Sequence, residues 1–141
     1  MSTIQCFMLH DTGERGKLTG NVDGSEYTCH VPIYADDQGN RYTLRFLDTT
    51  LDSGEVLKTA PPGAMWNADW YKDSGIKPGP DGLWLIVKTP AGDWFVDGPS
   101  SNGPGWTREG AVPNVTARPS ILMTSSGNYH GFLTNGQLVE C

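Results

Sequence analysis

The stretch SILMTSSGNYHGFLTNGQLVEC, residues Ser120–Cys141, decides the fold. Three short runs rich in apolar residues, 120–124, 129–133 and 137–141, are separated by Ser125-Ser126-Gly127-Asn128 and by Asn135-Gly136. Asn and Gly both accept positive φ, which a tight type I′ hairpin turn demands, so Asn-Gly between apolar runs is a strong hairpin signal. The stretch predicts a three-stranded antiparallel meander. If the first hairpin closes near 125–127, Ser120 lies beside Phe132 and His130 on the neighbouring strand.

The same punctuation recurs upstream. Leu83–Thr89 is apolar on both faces, with Leu83, Leu85 and Val87 on one and Trp84 and Ile86 on the other, which marks a central, covered strand. Pro90-Ala91-Gly92 turns it into a strand at Asp93–Val96, and Asp97–Gly105 reads as a loop. Ile4–Leu9 and Tyr27–Tyr34 are further strands, the second placed at an edge or bulge by Pro32, which has no ladder N–H. A polar, Gly-rich connection fills Asp11–Ser25. Asp36-Asp37-Gln38-Gly39-Asn40 is a hairpin loop leading into Arg41–Leu47, where Tyr42, Leu44 and Phe46 alternate with polar residues and predict one buried face. Leu51–Ala60 has no clear period. After Pro61-Pro62-Gly63, the i, i+4 pair Trp66 and Trp70 predicts a short helix over Ala64–Tyr71. The reading is mainly β: a compact sandwich or partly closed barrel of short antiparallel strands with one short helix. It is one domain over 1–141, with possible sub-layers 1–60 and 61–141.

Composition narrows the function. Eighteen Gly and ten Pro argue against a helical bundle, since both are costly inside helices. The net charge is −6, with sixteen acidic residues against ten scattered basic ones. Nucleic-acid binding relies on clustered Lys and Arg that displace counterions from phosphates, so no nucleic-acid partner is expected. The same balance argues against anionic membranes, and the apolar runs are too short to span a bilayer. Met1–His10 lacks a basic region followed by an apolar stretch, so no secretory signal is expected. Three cysteines, Cys6, Cys29 and Cys141, are an odd set and read as reduced thiols in a protein made in the cytoplasm.

Few constellations carry chemistry. Cys6, His10, Cys29 and His30 are chemically suited to zinc. However, adjacent strand residues point to opposite faces, which sets Cys29 against His30 as joint ligands. No metal is the expectation, with those four as the candidates otherwise. Ser120 and His130 form a potential nucleophile–base pair, with Asp97 or Glu140 as a possible orienting group. Gly103-Pro104-Gly105 lacks the Lys-Ser/Thr of a phosphate loop. No two carboxylates converge as in a glycosidase. Of five tryptophans, Trp84 and Trp94 suit a core. Trp106, with Asn102 and Pro104 in the same loop, suits an exposed anchor for a partner.

The run Ala60-Pro61-Pro62-Gly63-Ala64-Met65-Trp66, then Ala68, Trp70 and Gly79-Pro80-Asp81-Gly82, resembles a recurrent family of small tailed-phage proteins of unassigned function. The likeness continues through Trp94, Asp97, Ser101-Asn102, Arg108-x-Gly110 and Tyr129-His130-Gly131-Phe132-Leu133-x-Asn135-Gly136, and covers residues 60–138. The closing Pro119-Ser120-Ile121…His130-x-Phe132…Gly136 is also similar to a wider phage and bacterial domain family with a proposed peptidase role. That similarity implies Ser120 as nucleophile and His130 as base. Members of the first family are rich in Cys and His in a pattern of metal ligation. This chain has no Cys between Cys29 and Cys141, and Gly103 stands where the pattern places one.

The expectation is therefore a phage structural or binding protein without a cofactor, most plausibly a capsid decoration (cement) or other virion component. It would be made in the host cytoplasm and carried in the virion, and its partners would be the major capsid protein and copies of itself. The alternatives are a Ser–His hydrolase or peptidase, and an intracellular phage protein that blocks a host partner.

Overall fold

Alternating apolar residues and turn glycines place most of the chain in strands in the computed structural model, which describes residues 3–98, 107–123 and 129–141. The fold is mainly β, sandwich-like, with several antiparallel sheets and no closed barrel. Two units are formed: Met1–Met8 with Pro61–Cys141, and Leu9–Ala60. Strands β1 (Thr3–Gln5) and β2 (Phe7–Met8) belong to the first unit. Strands β3 (His10–Val22), β4 (Ser25–Ala35), β5 (Arg41–Thr43), β6 (Thr49–Thr50) and β7 (Val56–Thr59) build the second. Strands β8 (Ala64–Asn67), β9 (Leu85–Thr89), β10 (Gly92–Phe95), β11 (Thr107–Glu109), β12 (Thr116–Met123), β13 (Tyr129–Thr134) and β14 (Gln137–Glu140) return to the first.

In the first unit one sheet runs β1-β14-β13-β12-β11 and the other β10-β9-β8-β2. The meander is present as read: β13 alternates buried Tyr129, Gly131 and Leu133 with exposed His130, Phe132 and Thr134, and Asn135-Gly136 turns with positive φ at both residues. Strand β9 is central and buried at Leu85, Ile86 and Val87. Side chains from both sheets share one core, Met65, Leu85 and Val87 from one and Ile121, Leu133 and Leu138 from the other. Each such buried side chain contributes roughly 1.5–3 kcal/mol.

In the second unit the sheet order is β3-β4-β5-β7-β6. The β3–β4 hairpin turns at Asp23-Gly24, both at positive φ, the geometry that keeps a two-residue loop in step with strand twist. Val31, Ile33, Leu51 and Leu57 form its core. The sheet bends so that its two edges approach. Asp52, two residues beyond β6, accepts from the Thr19 backbone N–H (3.0 Å) and hydroxyl (2.7 Å). Its own N–H donates to the Lys17 carbonyl. Asp52 thus occupies hydrogen-bonding groups that a free β3 edge would offer to another chain.

Three expectations are corrected. Asp11–Ser25 is not an irregular connection: it is nearly all of β3, whose residues are mostly exposed on both faces and so show no alternation. Ala64–Tyr71 is not a helix. Ala64–Asn67 is drawn out between β9 and β2, and only Asp69–Asp73 forms a 3-10 turn; Trp66 is buried while Trp70 is exposed, so the two do not share a face. Strand β5 stops at Thr43, whose hydroxyl accepts from the Arg45 N–H. The chain then bends, and Phe46 lies in solvent rather than in a core.

Candidate functional site

Strands β12 and β13 bring the expected pair together. Ile121 faces Gly131, Leu122 faces His130 and Met123 faces Tyr129, the register implied by a turn at 125–127. Between Ala117 and Ile121 the register shifts, because three residues of β12 stand opposite Phe132 alone. Pro119 lies in this bulge, where a missing N–H costs no ladder bond. Bulges re-aim side chains, and Ser120, on this one, reaches diagonally to His130. The Ser120 Oγ to His130 Nε2 separation is 3.4 Å, with the donor set by the histidine tautomer.

The surroundings of the pair are those of an open sheet face. His130 is exposed, and its neighbours on that face, Leu122 and Phe132, are exposed as well. A nucleophile–base couple works at about 2.6–3.2 Å, with a third group orienting the base. Neither expected orienting carboxylate serves. Glu140 stands opposite Gly131, one residue from His130, and so belongs to the other face of the sheet. Asp97 is taken by Arg108. The Cys141 N–H donates to the His130 carbonyl, tying the backbone beside the pair.

Arg108 organises a buried polar cluster in the first unit, and sequence reading missed it. Its side chain is 2% exposed and that of Asp97 7%. Arg108 Nε donates to Asp97 Oδ1 (2.7 Å) and Nη2 to Asp97 Oδ2 (3.1 Å), while Nη1 donates to Asp81 Oδ2 (2.8 Å). The Asp81 carboxylate also accepts from the Leu83 N–H. Burial pushes Asp81 up, but the Arg108 hydrogen bond and the Leu83 N–H outweigh it and hold the group below the ordinary carboxylate range. Burial likewise disfavours charged Arg108, and the two carboxylates more than compensate. Gly79 lies so close that a Cβ there would run into the Arg108 guanidinium and Asp97. The cluster clips the 79–83 turn to the segment just beyond β10 and to β11. The Pro-Gly-Pro-Asp-Gly run signalled a turn, yet nothing local pairs Asp81 with residues 97 and 108.

The remaining candidates do not converge. Among the described residues no three His, Cys, Asp or Glu side chains are grouped as metal ligands. Cys6 is buried in the first unit's core, and burial pushes its thiol up to about 11. Cys29 packs against the second unit's core while His30 beside it is exposed. His10 instead meets Asp37 at 3.5 Å on the surface. All three cysteines are free. Trp94 is buried, and half-buried Trp84 donates its indole N–H to the Ile76 carbonyl. Asn102, Pro104 and Trp106 lie outside the described residues. No protein-family model, curated protein or solved structure matches the chain.

Proposed function

We propose that the chain works by adhesion, as a structural protein of a tailed phage: a capsid decoration or other virion component. The observation that carries the reading is the set of large apolar side chains left in solvent: Phe46 (86% exposed) and Leu47 (66%) on the second unit, Leu122 and Phe132 on the outer sheet face of the first. Scattered apolar residues are ordinary on protein surfaces, but adjacent ones mark contact sites. The resemblance of residues 60–138 to small tailed-phage proteins supplies the setting. Purified particles should contain the chain in many copies by mass spectrometry. Its absence from particles, with abundance in infected cells, removes the virion role and leaves the host-partner alternative.

A hydrolase is the second reading, favoured by the 3.4 Å Ser120–His130 approach. A serine-reactive phosphonate that labels the wild-type protein but not Ser120→Ala would establish it. On the adhesive reading, a half-buried serine whose histidine lacks Asp97 and Glu140 as orienting groups is not labelled above background.

A further inference from the structure

The segment Arg45-Phe46-Leu47-Asp48 leaves the sheet of the second unit between β5 and β6. Its two central side chains are largely exposed, Phe46 at 86% and Leu47 at 66%. The ends of the segment carry opposite charges. Asp48 is held in place by the Thr59 N–H (2.9 Å) and by Lys58 (3.3 Å) while its side chain remains 47% exposed. The Arg45 side chain makes no hydrogen bond or ion pair among the described residues, in contrast to Arg15, Arg41 and Arg108. Beside the segment lies a cleft of 280 Å³ bounded also by Leu18, Thr49 and Thr50. That is smaller than the ~300–1,000 Å³ of a typical small-molecule pocket, and its size suits a side chain of another protein.

The order of the four residues selects the occupant. Read in opposite directions, two copies of Arg-Phe-Leu-Asp place Arg45 against Asp48 at both ends and Phe46 against Leu47 in the middle. A segment that complements itself on reversal is what a twofold, isologous contact requires, since each residue then meets its counterpart's partner. We propose that Arg45–Asp48 is a self-association surface on which two copies of this chain meet about a twofold axis, Phe46 of each entering the cleft of the other. The overall charge of −6 opposes such pairing at long range, so the contact depends on the local opposite charges and on the apolar pair between them. This surface deepens the adhesive reading and rests on it. Its test is the oligomeric state in solution, which does not depend on whether the chain is carried in a particle.

The experiment is sedimentation velocity of the full chain over roughly 1 μM to 1 mM, where a small interface associates. Wild type is expected to show a concentration-dependent monomer–dimer equilibrium, and Phe46→Asp to weaken it by about tenfold or more, as for a central anchor. Arg45→Asp alone and Asp48→Arg alone should each weaken it, because both put like charges together. An equimolar mixture of those two variants should regain wild-type association as a heterodimer, because each end again pairs opposite charges. That rescue also shows both variants to be folded. A wild type that stays monomeric throughout the range overturns the proposal. So does a Phe46→Asp protein that dimerises like wild type, whatever the charge variants do.

Discussion

Arg108 ties Asp81 and Asp97, from two separate turns, to β11 of the first unit. It brings charge into a place that water barely reaches and is matched there by two carboxylates. Removing Arg108 leaves the buried Asp97 carboxylate without its ion-pair partner, and breaking a buried pair in this way typically costs ~3–5 kcal/mol. Arg108→Ala is therefore expected to lower unfolding stability by about that amount in urea titration, with a loss below about 1 kcal/mol contradicting the structural role. Ser120 is the contrasting residue. It sits half-buried at a bulge, with a long approach, 3.4 Å, to an exposed imidazole. Its contact with His130 was legible because it follows from strand register, and register follows from the turn residues. The Arg108 cluster was not, because residues 81, 97 and 108 come from three separate turns and strands whose proximity only tertiary packing decides.

At the level of elements, legibility tracks the environment of each strand. Strand β13 was readable because one face is buried and the other wet, so its side chains alternate. Strand β9 was readable because both faces are covered. Strand β3 was not, because most of it is exposed on both faces. The tryptophan spacing over 66–70 suggested a helix, and pairing of Ala64–Asn67 with β9 and β2 overrode it. Phe46 continued an alternation that the backbone abandons after Thr43, which is why an apparent core residue became a surface one. Strand β3 also depends on Asp52 to protect its free edge. In Asp52→Ala the Thr19 amide loses its acceptor, so its hydrogen exchange should quicken relative to the amides of β4. Unchanged protection at Thr19 would show that the edge is closed by something else.

Across the whole molecule, acid stability follows from how the carboxylates are held. Asp48 lies below the ordinary range chiefly through the Thr59 N–H, Asp52 chiefly through the Thr19 hydroxyl and N–H, and Asp81 through Arg108 against the opposing effect of burial. For each, the folded protein binds a proton less readily than the unfolded chain. The stabilisation they give is complete above the unfolded value near pH 4 and is lost as the pH falls through the lower folded values. Asp93, pushed up by burial against the pull of Lys88, acts in the opposite sense. The lowered groups outnumber it, so melting temperature should fall steadily from about pH 4 to pH 2. A melting temperature that is flat or rises over that interval would contradict the assignment of these contacts.

The proposed role joins these scales: a protein built of sheets, held without disulfides among its three cysteines, and offering apolar side chains to neighbours rather than a closed reaction site. Counting copies of the chain in purified phage particles by quantitative mass spectrometry, for wild type and for Ser120→Ala, tests this most directly. The account predicts many copies per particle, in equal number for both proteins. Particles devoid of the chain, or particle yield that collapses when the Ser120 hydroxyl alone is removed, would contradict it.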